Sequence, residues 1–227
     1  LLEEPFFYEP LRTSKSEILG NSGIKKMLDE NNYRLDLIKK ENPVVLDVGS
    51  HIGILPRVIK QQLPKAQIHS IEPDPDNFRL LKLNNAILEN AFSHRFGIFS
   101  ENSFQTLKGS NYNSWRSTLD VNPTFFREDV VGKDPFSFAE YRVECLTLEN
   151  FVKRFDIKNV DFIGVTVPGE IAMDILEGAK KVLTEESPII SIVLYSDEVK
   201  RVREFMESIG YFIFDMPMGN MHTFIRK

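Results

Sequence analysis

The chain has one cysteine, Cys145, in 227 residues. A single thiol rules out an internal disulfide framework and any cysteine-rich zinc site, and it fits a reducing, cytoplasmic setting. Long apolar runs are also missing. None approaches the roughly 18 to 20 residues that cross a bilayer, so no membrane span is expected in this segment. Positive charge is in deficit, with 28 Lys plus Arg against 33 Asp plus Glu and a formal net charge of -5. A broad nucleic-acid footprint needs clustered cations, and this balance argues against one. No internal repeat, low-complexity tract or signal-like opening is visible. The chain begins on Leu1 rather than methionine, so a preceding segment is expected. What is plentiful is apolar surface: 42% hydrophobic residues supply a sizeable core, and the length suits one ordinary domain.

The first forty-odd residues read as a helical segment, 1–42, packed beside a main domain, 43–227. Ser14 and Glu17 have capping-box spacing, and Ile24, Met27, Leu28, Leu35 and Ile38 follow a helical stripe. From Val44 the pattern becomes short apolar runs alternating with helical ones. Val44–Val48 predicts a strand, Ile54–Gln62 a helix, and Ile68–Ile71 a second strand. Asp74-Pro75 is an N-cap with proline at the first helical position, opening a helix to about Asn90. Phe96–Phe99 reads as the third strand. Residues 102–140 lose the rhythm and read as an insertion of hairpins or long loops. Further strands are predicted at Tyr141–Leu146, Val160–Val167 and Ile189–Tyr195, and helices at Thr147–Phe155 and Ile171–Leu183. Val199, Val202, Phe205, Met206 and Ile209 line one face of a last helix, and Tyr211–Asp215 with Met221–Ile225 form a closing hairpin. This alternation predicts an α/β, Rossmann-like domain: a seven-stranded, mostly parallel sheet with helices on both faces and a C-terminal antiparallel hairpin.

The sharpest motif is Asp47-Val48-Gly49-Ser50-His51-Ile52-Gly53, between a strand and a helix. Gly49 lets a ligand approach the backbone and Gly53 allows close strand–helix contact. Open α/β sheets bind ligands at such carboxyl ends. Asp47 stands where a pyrophosphate-binding G-x-G-x-x-G has its first glycine, which disfavours a nicotinamide-dependent oxidoreductase. A carboxylate there repels pyrophosphate but suits the ammonium of an amino-acid moiety. Glu72 ends the second strand about twenty residues on, where a carboxylate accepts ribose hydroxyls. The structural alternative leaves Gly49 and Gly53 as turn residues, Glu72 as a solvated strand end and Asp74 as a helix cap.

These residues resemble the FkbM family of S-adenosylmethionine-dependent methyltransferases. The resemblance covers most of residues 43–226. Its carriers are "VVLDVGSHIG", "IEPDPDNFRLLKLNNAIL", "DFIGVTVPGEIAMDILEGAKKVL" and "GYFIFDMPMGNMHTFI". It implies a class I methyltransferase fold, S-adenosylmethionine as cofactor, and O-methylation of a small molecule or glycan. It also implies that Asp47, Gly49, Ser50, His51 and Gly53 surround the methionine and ribose portions, that Glu72 binds the ribose, and that Pro73 and Asp74 lie near the adenine. The third block departs from the family's D-F-I-K-I-D-V-E-G-A-E pattern, with Gly164, Thr166, Pro168 and Ile171 in place of its lysine and acids. Val193-Leu194-Tyr195 likewise replaces a glutamate near the fifth strand's end. Glu170 is the nearest remaining carboxylate. No catalytic residue is therefore assigned, and no metal is expected at the fourth-strand turn. A degenerate domain that binds cofactor or protein partners without efficient catalysis is the alternative.

His51, His69, His94 and His222 lack metal-ligand spacing, and His51 reads more readily as a loop residue than as a base. Lys200, Arg201 and Arg203 read as a solvated helix face. Trp115, with Phe104, Tyr112, Phe125, Phe126, Phe136 and Phe138, makes the insertion aromatic. A substrate lid, plain packing onto the sheet, or an oligomer contact are the readings open for it.

Overall fold

The computed structural model describes residues 6–7, 33–110, 118–119, 138–167, 171–195, 198–215 and 220–226. Its main sheet contains β1 (Val44–Val48), β2 (Gln67–Ile71), β3 (Ala91–His94), β8 (Val160–Val165), β9 (Ile189–Val193), β10 (Tyr211–Asp215) and β11 (Met221–Arg226), in the order β10-β11-β9-β8-β1-β2-β3. β1 is parallel to β2 and β8, β2 to β3, and β8 to β9, whereas β11 runs antiparallel to both β9 and β10. The order of strand addition reverses between β1 and β8, so the switch point lies at their carboxyl ends. A ligand is expected there in an open α/β sheet.

Helices α1 (Ile54–Gln62), α2 (Pro75–Asn85), α3 (Leu148–Arg154), α4 (Ala172–Glu186) and α5 (Val199–Ser208) connect these strands. β1 has apolar residues on both faces because both are covered. Leu46 and Val48 join a core that includes α3, α4 and α5, while Val45 packs with Ile54, Leu55, Val58 and Ile59 of α1. Tyr33, Leu35 and Ile38 complete that second core, and Phe7 exchanges two hydrogen bonds with Asn84. Ser14, Glu17, Ile24, Met27 and Leu28 lie outside the described residues. Among the described residues, no helix is long and apolar enough to cross a membrane.

The third strand and helix α2 differ from their predicted positions. The third strand of the main sheet is Ala91–His94, not Phe96–Phe99. Gly97–Ile98 forms β4 in a second sheet, ordered β4-β7-β5-β6. Gly97 backs directly onto Cys145, where a Cβ would stand 2.5 Å from Sγ, so the apolar run serves the second sheet. Helix α2 ends at Asn85 rather than near Asn90. Asn84 donates to the carbonyls of Phe7 and Ile52, and Asn85 donates to Ser70 and Ser93, so this turn is committed to tertiary contacts. Within 102–140, β5 (Ser103–Ser110) pairs antiparallel with β7 (Phe138–Leu146), from Ser103↔Cys145 to Ser110↔Phe138. A short β6 (Thr118–Leu119) adds to β5. Tyr112, Trp115, Phe125, Phe126 and Phe136 lie outside the described residues. Phe104 is 60% exposed, and the Arg142 guanidinium stands 4.4 Å over its ring.

One backbone contact locks α4 to the residue that follows Gly97–Ile98. A Cβ on Gly178 would fall 2.1 Å from the Phe99 carbonyl oxygen. Gly178→Ala is expected to lower the unfolding free energy by about 1–3 kcal/mol despite alanine's better helix propensity. Denaturant titration checks this, and a variant as stable as the parent would show that α4 can slide.

Candidate functional site

The β1–α1 turn hangs from β2. The Gly49 and Ser50 amides both donate to the Ile71 carbonyl at 3.0 Å, and Gly53 closes the turn by donating to Ser50 O at 2.9 Å. His51 adopts φ 52, and Gly49 and Gly53 have φ 80 and 90. One expectation about the glycines needs correction. A Cβ on Gly49 would strike the Thr166 carbonyl oxygen at 2.2 Å, so the missing side chain admits the end of β8. A Cβ on Gly53 would meet Leu81, Asn85 and Asn84 of α2, so that close contact is turn to helix, not strand to helix.

Asp47 is buried, at 1% exposure. The Ser50 hydroxyl reaches its Oδ2 at 2.5 Å, while Oδ1 accepts no hydrogen bond among the described residues. Burial pushes the carboxyl up to about 7, and the Ser50 bond offsets only part of this. Glu72 is also buried, so it is not a solvated strand end. Its Oε2 accepts the His51 amide at 2.8 Å and its Oε1 accepts the Asp74 amide at 3.0 Å. One carboxylate thus ties the turns after β1 and β2 together. Burial raises Glu72 to about 7 as well, against the lowering effect of those amides.

Asp74 caps α2, with Oδ1 accepting the Asp76 amide at 2.9 Å and the Asn77 amide at 3.1 Å. Pro73, half-buried, sits between Glu72 and this cap. Ser50, His51, Glu72, Pro73 and Asp74 therefore gather beside Asp47 at the carboxyl ends of β1 and β2. On the other side, the Thr166 amide donates to Val48 O at 2.9 Å, bringing the end of β8 against the same turn.

Sequence reasoning missed Tyr33. It is 4% exposed, and its hydroxyl lies 3.0 Å from Thr166 Oγ1. The available signal was Gly164, because a glycine inside a buried strand marks a close approach by another group. Pro168 and Glu170 lie outside the described residues.

The histidines have separate fates. His69 Nδ1 and His94 Nε2 meet at 3.0 Å, and burial lowers both rings to about 4. His222 is buried on β11. No group of three or more His, Cys, Asp or Glu side chains suited to a metal occurs among the described residues. Lys200, Arg201 and Arg203 are exposed on α5, with Arg203 paired to Glu207 at 2.7 Å.

Seven strands in this order, with only β11 reversed, define the class I methyltransferase fold. Structures of the fibrillarin pre-rRNA processing protein of Methanococcus jannaschii and the ribosomal protein L11 methylase of Lactobacillus delbrueckii subsp. bulgaricus superpose with TM-scores of 0.51 and 0.50. They are 14% and 13% identical, covering 84% and 89% of this chain and 69% and 78% of theirs. That likeness is one of fold alone. The family description "Methyltransferase FkbM domain" matches residues 47–213, and the chain belongs to this family. The 2-O-methyltransferase NoeI of Sinorhizobium fredii (strain NBRC 101917 / NGR234) is 25% identical over 168 residues, 72% of this chain and 68% of that protein.

Glu72→Ala removes the acceptor of two backbone amides, and each buried amide left unpaired costs about 1–3 kcal/mol. The variant is expected to lose stability on that scale, and Glu72→Gln to fall between it and the parent. Denaturant unfolding of the three proteins checks the order. Equal stability would mean that the turns do not depend on this carboxylate.

Proposed function

We propose that the chain is an S-adenosylmethionine-dependent methyltransferase that methylates an oxygen of a small-molecule or glycan acceptor. The observation that carries the reading is Asp47, a buried carboxylate at the switch point with one oxygen unsatisfied among the described residues. A buried acceptor without a donor is costly, and a cofactor ammonium supplies the missing donor. Glu72 fits the ribose because a carboxylate offers about four lone-pair positions, and its oxygens have taken the His51 and Asp74 amides and a side-chain bond from Asn77. Ser50, His51 and Gly53 form the turn beside the methionine and ribose portions, with Gly49 holding that turn against β8. Pro73 and Asp74 flank the adenine. When bound, S-adenosylmethionine supplies an electrophilic methyl group: its S–C bond breaks, a C–O bond forms, and the acceptor's proton leaves to water.

Oxygen as the acceptor atom draws support from the name of the relative, a 2-O-methyltransferase. Gly164 and Thr166 favour a second reading, a module that binds cofactor or protein partners without efficient transfer. Calorimetry with S-adenosylmethionine, S-adenosylhomocysteine and NAD separates both readings from an oxidoreductase. Product detection with candidate acceptors then separates enzyme from module.

The pH dependence of binding follows from the two carboxyls. Both hold protons more tightly in the fold than in the unfolded chain, so the free protein loses stability as pH rises from about 4 through about 7. Pairing with an ammonium requires ionised Asp47. Affinity for S-adenosylhomocysteine should therefore rise with pH through about 7, and fall only at the more alkaline pH where the ligand's α-ammonium loses its charge. Adenosine lacks the ammonium and should keep only the part due to Glu72. Asp47→Asn should weaken the first ligand and spare the second. Equal losses for both ligands would remove Asp47 from the ammonium role.

Neither Gly164 nor Thr166 brings a carboxylate to the end of β8, and hard cations need several oxygen ligands. Chelator treatment should leave cofactor binding and methyl transfer unchanged. Loss of activity to chelator, with recovery in magnesium or manganese, would overturn this.

A further inference from the structure

Gly164 lies in a register row between Asp47 on β1 and Ser191 on β9. A Cβ there would press on Leu55 Cδ2 at 3.0 Å and would touch Tyr33 Cε1 at 3.9 Å, so the Tyr33 ring packs beside this position. From this position the Tyr33 hydroxyl reaches Thr166 Oγ1, two residues further along the chain. Tyr33 is also held through its backbone. Its carbonyl accepts the Ser191 hydroxyl at 2.8 Å, and Ser191 meets Thr223 at 3.0 Å. The residue precedes the family-matched span 47–213. A side chain from outside the family domain therefore packs onto 164 and 166, two positions where this chain departs from the family's lysine and acid.

We propose that Tyr33 is a positioning residue of the methyl-transfer end of the site, holding Thr166 Oγ1 so that it orients a neutral hydroxyl acceptor. The proposal rests on the S-adenosylmethionine reading above. Burial, with the Asp47 carboxylate adding to it, keeps the phenol protonated well beyond its ordinary range. The neutral phenol and Thr166 share one hydrogen bond in which either hydroxyl can donate, and in both cases the Thr166 oxygen retains a lone pair for the acceptor's O–H. Thr166 itself is only half-buried and can meet an acceptor. Neither hydroxyl is a base at neutral pH, so the pair works by placement, and the acceptor's proton passes to water as the C–O bond replaces the S–C bond.

The test uses S-adenosylmethionine labelled with carbon-13 at its methyl group, bound to the full chain and observed by NMR. Tyr33→Phe removes one hydroxyl and keeps the ring; Thr166→Val is the second, near-isosteric variant. The bound methyl resonance is expected to move in each, and the double variant to match the Thr166→Val position, because the pair acts as one unit. Binding by both variants with the resonance where the parent has it would overturn the role of Tyr33, leaving it as core packing. Additive displacements in the double variant would overturn the coupling through Thr166. A parent protein that binds no S-adenosylmethionine at all would instead sink the cofactor reading, and this inference with it.

Discussion

Glu72 joins the loops after β1 and β2, accepting the His51 amide, twenty-one residues back in the chain, with one oxygen and the Asp74 amide with the other. Each loop ends a strand that stops before its last polar groups are satisfied, and a carboxylate can accept from both at once. The arrangement has a cost. A buried carboxylate loses its water, and the rise of Glu72 to about 7 shows that two amides do not replace that water in full. Asp47 is less well served, with Ser50 on one oxygen only. Among the described residues, the same bonds that shape the turns leave Asp47 Oδ1 without a donor at one end of the sheet. A ligand bearing an ammonium relieves that shortage.

The shortage belongs to a wider pattern. Ser93, Ser70, Asp47, Gly164, Ser191 and Thr223 are register neighbours from β3 across to β11, so they share one face of the sheet. A row of small and polar residues would be a liability inside a buried sheet unless each found a partner. Asn85 serves both Ser70 and Ser93, Ser50 serves Asp47, Tyr33 covers Gly164, and Ser191 bonds both the Tyr33 carbonyl and Thr223. The opposite face carries Leu46, Val48, Val165, Ile190 and Ile192 against α3, α4 and α5. Apolar packing tolerates small slips better than a hydrogen bond does. The polar row therefore sets the position of α2, the β1–α1 turn and Tyr33, while the apolar face supplies bulk.

Much of this was legible in the chain, and the misses have physical causes. Val44–Val48 and Ile54–Gln62 match their predicted limits because Gly49 and Gly53 punctuate a buried strand and an amphipathic helix. Asp74-Pro75 opens α2 as a cap and first-turn proline should. The third strand was misplaced because Phe96-Gly97-Ile98-Phe99 is the more apolar run. Ala91–His94 is half-polar, with Ser93 bonded to Asn85 and His94 to His69. Local pattern reports burial well and partnership badly. Tyr33 was hidden for the same reason: its hydroxyl partner lies 133 residues away, and only the strand glycine facing it hinted at company.

The changes at the end of β8 also alter the electrostatics of Asp47. An acid at 166 would put a second carboxylate at the end of the strand beside β1, where Thr166 already bonds to Val48. Two close carboxylates in a dry site raise one another's pKa, and one of them keeps its proton. Gly164 and Thr166 add no such charge, and the Tyr33 phenol they accommodate stays neutral. Asp47 is then lifted by burial, to about 7, and on the proposed reading that is low enough for a cofactor's ammonium to complete its ionisation. On this account, exchanging charged groups for a tyrosine–threonine pair gives up acid/base capacity at β8 but leaves Asp47 free to act as a counter-ion. The physical demand falls on placement of the acceptor, which is the task that two fixed hydroxyls can perform.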